Sequence, residues 1–150
     1  MAHVELLFTR RRHPGSALIR ALTWSAFSHV ELIVGNEVIG AQAPEGVVRS
    51  ARCYRLERAS RAAIMRIAHP HPKRVQELVE SQLGKPYDWA GVVGLGLRRR
   101  WQDADCWFCS ELIAWAFEAS GHPLFRAAAA HRITPQHLWL LPHPCEWQKG

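Results

Sequence analysis

The segment DADCWFCSELIAWAFEASGHP, residues 103–123, sets two cysteines three positions apart at the mouth of an apolar run. Cys106 and Cys109 raise three chemistries: a redox pair, half of a metal site, or one nucleophile with a bystander. From Cys109 onward, Leu112, Ile113, Ala116 and Phe117 fall on one side of a helix, and Gly121 with Pro123 supplies a helix stop. Cys109 thus stands where a loop becomes a helix, and the free N–H groups and partial positive charge of a helix start favour a thiolate. A redox Cys-Trp-Phe-Cys wants a strand directly before it in a βαβ context, and the glycine-rich GKPYDWAGVVGLGLRRRWQDAD precedes it instead. Zinc needs four ligands, and recruiting His143 and Cys145 gives an order unlike a zinc module. Taken alone, a cysteine at a helix start is more often a small buried residue than a nucleophile, so the nucleophile reading needs a base.

His29 is the candidate base, because it opens the apolar run SHVELIV, residues 28–34, where a histidine needs a reason. Period-two alternation puts His29, Glu31 and Ile33 on one face of that strand and Val30, Leu32 and Val34 on the other. Gly35-Asn36 reads as a two-residue hairpin loop leading into EVIGAQA, residues 37–43. Counting outward from Val34 opposite Glu37 then places Gln42 across from His29, with side chains starting only ~5 Å apart. Gln42 can orient the imidazole, and Glu31, two residues along on the same face, competes for that role by charge.

The elements that must position these groups follow from the same patterns. HVELLFTR, residues 3–10, reads as a strand, followed by a helix that Ser16 can cap, with Leu18, Ile19 and Leu22 at helical spacing. Residues 46–56 and 62–69 read as two more strands of one antiparallel sheet. After HPHP, Val75, Leu78, Val79 and Leu83 mark a helix that Gly84 closes. His69 and His71 in that break read as exposed turn residues. Ala127 to Ala130 and ITPQHLWLLPHP suggest a short helical stretch and an irregular tail. The expectation is a single α+β domain over residues 1–150, an antiparallel sheet packed against the Cys109 helix.

Several of these motifs, in this order, give the chain a specific likeness. SHVELIVG with a polar group on the next strand, GVV after it, GKPYDW, CSELIAWAFEASG and ITPQHLW resemble the circularly permuted NlpC-like thiol hydrolases of the papain fold. That group contains YiiX-type bacterial proteins and the lecithin:retinol acyltransferase relatives. The resemblance implies a permuted papain-like fold, with Cys109 as nucleophile, His29 as base and Tyr87 beside the nucleophile at the oxyanion site. Such families often have histidine or glutamate as third residue, whereas VIGAQ offers Gln42 here. Trp89 and Trp107 are assigned with Tyr87 to the substrate-binding wall. Trp101, flanking the same loop as Trp89, joins it as the wall of an apolar groove, and Gly91, Gly94 and Gly96 suggest a lid there.

The expected function is a cysteine hydrolase working through a thiol acyl-enzyme, first as a peptidase or amidase on cell-wall or similar peptides. A lipid ester or amide hydrolase or acyltransferase comes second. A non-catalytic basic binding protein and a CxxC metal or redox protein are the rivals from other classes. No cofactor is expected.

Composition limits the remainder. The chain has 150 residues, is 48% hydrophobic and 21% charged, and carries a net charge of +6, mostly arginine. That balance fits a globular protein with anionic partners, an anionic cell-envelope surface among them, while no nucleic-acid reading motif is present. No apolar run approaches the ~18 residues of a membrane span. MAHVELLFTRRRHPG reverses the charge order of a signal peptide, so the expected location is cytoplasmic, or outside by a phage-type or secretion-system route.

Overall fold

The computed structural model describes residues 2–89, 106–126 and 133–149. Six strands, β1 (His3–Arg10), β2 (His29–Val34), β3 (Glu37–Gln42), β4 (Gly46–Ala51), β5 (Arg61–Ala68) and β6 (Cys145–Lys149), form one antiparallel sheet in the order β4-β3-β2-β1-β5-β6. The helices are α1 (Pro14–Thr23), α2 (Arg52–Arg58), α3 (Pro72–Glu80), α4 (Cys109–Ala119) and α5 (Pro135–Trp139). The chain is therefore α+β. Among the described residues no helix is long and apolar enough to cross a membrane.

Strand alternation divides the sheet's apolar side chains between two faces. Leu6, Phe8, Val30, Leu32, Ile39 and Met65 point to the face covered by α3 and α4, where Val75, Val79, Leu112, Ile113 and Phe117 meet them in the main core. Leu7, Val38, Ala62 and Ile64 point to the other face and pack with Leu56 and Ala59 at the end of α2. The β2–β3 hairpin has the register expected from its loop, Val34 opposite Glu37, and Gly35 takes the left-handed φ of +61° that such tight turns use.

Four local expectations change. Residues 46–56 are not one strand: β4 ends at Ala51, the Arg52 N–H bonds to Asn36 O at 2.9 Å, and RCYRLER becomes helix α2. Its arginines and leucine are good helix formers, and Leu56 gains burial under the sheet only in that form. Ser16 does not cap α1; His13 does, its Nδ1 accepting from Gly15 N–H at 3.1 Å, while Ser16 turns inward to bond Ser28 Oγ at 2.6 Å.

The tail is not irregular after Ile133: Thr134 caps α5 by accepting from His137 N–H, and β6 then adds to β5. CEWQK is exposed along its whole length, so backbone pairing defines that strand without any apolar pattern. His69 is buried, not exposed; its Nε2 meets Ser120 Oγ at 3.0 Å and its ring packs edge-on against Phe117. Ala127 to Ala130 lie outside the described residues.

The loop after α3 is fastened to the start of β4. Val47 N–H donates to Lys85 O at 2.8 Å, Gly84 N–H donates to Val47 O at 2.9 Å, and Gly46 sits at φ +89° with the Lys85 carbonyl and Pro86 backbone where a β-carbon would stand. A side chain there meets backbone in a conformation that favours glycine. Gly46→Ala is expected to cost more than about 1 kcal/mol in urea unfolding, whereas Gly84→Ala, equally left-handed but facing open space, costs less.

Candidate active site

Helix α4 begins with Cys109 because the extended Phe108 precedes it and Glu111 turns back, its Oε2 accepting from Phe108 N–H at 3.4 Å. An acidic side chain in the first turn suits the helix's positive end. Ser110 is wholly buried and donates to Ile133 O, which ties the helix start to the segment leading into α5. Leu112, Ile113, Ala116 and Phe117 bury the rest of the helix in the core, so Cys109 is held at the sheet with 1% of its surface exposed. A helix leaves its first N–H groups without intrahelical partners, and those of Cys109 and Ser110 are the first two of α4.

His29 is the first residue of β2 and pairs with Thr9 on β1. Its imidazole lies close enough to Cys109 for the two to interact electrostatically. On its other side Nε2 is 3.3 Å from Glu31 Oε1, inside ion-pair reach but off the line of a hydrogen bond. Glu31 has no exposed surface and points to the sheet face under α2, where Arg55 Nε donates to the same Oε1 at 3.1 Å. Arg55 Nη2 in turn donates to Ser50 Oγ on β4 at 2.9 Å.

Electrostatics follow from this chain of contacts. Burial pulls the His29 pKa down, but the Glu31 carboxylate at 3.3 Å, together with the nearby Cys109 sulfur, outweighs it and leaves the pKa pushed up to about 9. Burial likewise opposes ionisation of Glu31, and the His29 and Arg55 cations overcome it to hold the carboxyl below its usual range.

Gly40 makes room for this arrangement. A β-carbon there would stand 2.7 Å from Glu31 Cγ and 3.3 Å from Val30 O, so glycine opposite Glu31 lets the carboxylate lie in the sheet. Neither Gly40 nor Arg55 was evident from the sequence. Arg55 falls in a stretch read as strand, and only the helical form of α2 carries it to Glu31; an unexplained glycine within the apolar strand VIGAQ was the available signal for Gly40.

The structure thus brings Cys109, His29 and Glu31 together. Gln42 is not shown in contact with them: the β2–β3 ladder stops at Leu32 opposite Ile39, short of the expected His29–Gln42 pair, and Gln42 Oε1 is buried with no hydrogen-bond partner among the described residues. Tyr87 is buried, and a short parallel bridge to Trp107 holds it there, with Trp107 N–H bonded to Pro86 O and Asp88 N–H bonded to Trp107 O, each at 3.0 Å. Burial, then the nearby Cys109 and Asp88 charges, push the Tyr87 phenol well above its ordinary pKa, so it stays a neutral donor. Trp89 is half exposed and packs on the Tyr87 ring at 5.0 Å. Trp107 is buried, its Nε1 donating to Gln82 Oε1 at 3.1 Å and its ring against Trp115 at 5.1 Å. Gly91, Gly94, Gly96 and Trp101 lie outside the described residues.

Cys53, Cys106, Cys109 and Cys145 are thiols, and no disulfide joins any of them. Cys145 lies on β6 with its Sγ donating to His143 O, and no grouping of three or more histidine, cysteine or acidic side chains among the described residues could hold a metal ion. Two surface cavities of about 310 and 380 Å3, one beside Glu5 and Arg66 and one beside His69 and His122, include neither Cys109 nor His29.

The fold defines the first level of relationship: a six-stranded antiparallel sheet backed by a helix that starts at a cysteine. A solved structure described as metalloprotein yiiX from Escherichia coli O157:H7, DUF1105, has a similar fold, with a TM-score of 0.60 and 19% sequence identity. The likeness covers 78% of this chain and 64% of that one. No family model and no curated protein sequence matches the chain. That neighbour is described as a metalloprotein, whereas the described residues of this chain do not assemble a corresponding ligand set.

Two measurements probe the charge array. His29 has a folded pKa above its ordinary 6.5, so the stability it contributes is complete below about pH 6.5 and is lost as pH rises through about 9. Urea unfolding of the wild type should show that loss, and His29→Gln should flatten it. Arg55→Met leaves Glu31 buried with one cation fewer and is expected to cost about 3–5 kcal/mol, while Gly40→Ala should lower the His29 pKa, read by NMR, through displacement of Glu31.

Proposed function

We propose that the chain is a cysteine hydrolase of permuted papain-like architecture, with Cys109 as nucleophile, His29 as its acid–base partner and Glu31 as the group that orients and charges His29. The observation that carries this reading is a helix-start thiol close to an imidazole whose Nε2 is 3.3 Å from a buried carboxylate. With a pKa of about 9, His29 holds its proton at neutral pH. Cys109 thus attacks beside an imidazolium, and His29 is placed to supply the proton that the leaving group needs.

The thiolate attacks a carbonyl carbon, and the oxyanion that forms is received by the N–H groups at the start of α4, with the Tyr87 hydroxyl as a neutral donor near by. The C–N or C–O bond then breaks as His29 gives its proton to the leaving amine or alkoxide. Water attacks the thioester, His29 takes one of its protons, and release of the acid restores the ion pair. A peptide amide is the first substrate class. Gln42, at the end of β3 with a buried amide oxygen that lacks a hydrogen-bond partner among the described residues, is the candidate to receive a donor on the substrate. A lipid ester or amide is the second, favoured by the exposed Leu18 and Trp24 on and just after α1, the helix that leads into the strand of His29.

Labelling with a small alkylating agent near neutral pH tests the core of this reading, since it reports both ionisation of Cys109 and access to it. Cys109 should react faster than Cys106, and His29→Ala should remove that preference. Failure of Cys109 to label in the native protein overturns the proposal. Against peptide, ester and lipid panels, Cys109→Ala should abolish turnover and His29→Ala should lower it by about 10²–10⁴-fold. The rate of the wild type should fall above about pH 9 as His29 loses its proton, and Glu31→Gln should move that fall to lower pH.

A further inference from the structure

Helix α1 is apolar on both sides: Ile19 and Leu22 pack half-buried against the main core, yet apolar residues also face outward. Its most buried side chains are Ser16 and Thr23, whose hydroxyls donate to Ser28 Oγ and Ile19 O. Its exposed positions are Pro14, Ala17, Leu18 and Ala21, and Trp24 follows at the C-terminal cap. These repeat at three and four residues and make one apolar outward stripe, where a surface helix ordinarily places charge. Leu18 is 59% exposed and Trp24 90%.

Trp24 also holds an unusual backbone conformation. It sits at φ +53°, ψ +35°, the left-handed cap that glycine normally fills, and is the one non-glycine residue with positive φ among those described. A bulky side chain is strained there, and the indole gains no burial in return.

Cations surround the stripe. No aspartate or glutamate occurs between Glu5 and Glu31, while Arg10, Arg11, Arg12 and Arg20 do. None of the four has an acidic partner among the described residues, whose ion pairs use Arg49, Arg55, Arg66 and Arg74. Arg20 Nε is buried without a hydrogen-bond acceptor, and Arg10 lies close enough to repel Arg20.

We propose that the outward face of α1, with Trp24 at its end and these arginines around it, docks on an anionic lipid surface. An apolar stripe enters the boundary between headgroups and acyl chains, tryptophan settles at that depth, and lipid phosphates supply the anions that the arginines lack. A protein partner would satisfy the stripe, but the run of unpaired arginine favours a surface dense in phosphate. The placement has a consequence for the site. Helix α1 links the end of β1 to the start of β2, and Ser16 bonds the residue before His29, so a docked α1 brings the Cys109 end of the sheet to the membrane.

Co-sedimentation of the full chain with vesicles tests this. The wild type should pellet with phosphatidylcholine vesicles containing phosphatidylglycerol, not with phosphatidylcholine alone, and rising salt should release it. Arg11→Gln with Arg12→Gln should weaken binding about fivefold per arginine. Trp24→Gly should lose binding while its thermal midpoint holds or rises, because glycine suits the left-handed cap; a purely structural tryptophan would give the opposite. Cys109→Ala should bind as the wild type does, which separates docking from hydrolysis. Equal pelleting with both vesicles overturns the proposal, as does unchanged binding of Trp24→Gly and Leu18→Ser. Self-association that Leu18→Ser abolishes would also overturn it by giving the face to a second copy.

Discussion

A carboxylate with no exposed surface stays charged inside a sheet only where cations meet it, and Glu31 is met by two. Arg55 reaches its Oε1 from α2, and His29 reaches the same oxygen from two residues earlier on β2. Much of the surrounding structure exists to permit this. The break of the chain into helix at Arg52 delivers Arg55, Ser50 fixes the far end of the guanidinium, and Gly40 leaves the space that Glu31 occupies. Without these supports the desolvation of three ionisable groups would exceed what their mutual attraction returns.

The array also joins the two faces of the sheet. Glu31 and Arg55 belong to the α2 face, Cys109 to the α4 face, and His29 touches both. That position is open to His29 because the β2–β3 ladder has ended before it, so its ring is not confined between cross-strand neighbours on each side. Under the proposed mechanism this geometry gives the imidazole its charge from one side and its nucleophile from the other. The lipid-facing reading of α1 adds a direction: the same sheet end that carries His29 carries the apolar stripe.

The sequence pattern made much of the framework legible. Alternation in SHVELIV and the Gly35-Asn36 turn were enough for the β2–β3 register, because a two-residue loop leaves only one way to count. Helical spacing after Cys109 located the buried side of α4 for the same reason. Residues 52–58 were not legible: arginine, cysteine, tyrosine and leucine suit strand or helix, and the choice depends on what lies beneath Leu56. Strand β6 was hidden because its side chains are exposed and carry no alternation, and Trp147 meets Phe27 and Trp139 only in the folded chain. His69 looked like a turn residue beside its prolines, and its burial depends on Phe117 and Ser120, some fifty positions away.

The sequence by itself determined where a thiol meets a helix start, which strand offers a histidine, and that Glu31 and Gln42 were the two polar groups within its reach. Those are matters of spacing along one element or across one short turn. Only the tertiary structure decided that Glu31, not Gln42, contacts the imidazole, and that Arg55 is its counter-ion. The choice depends on charge buried between segments distant in the chain, and no local pattern encodes which distant cation arrives.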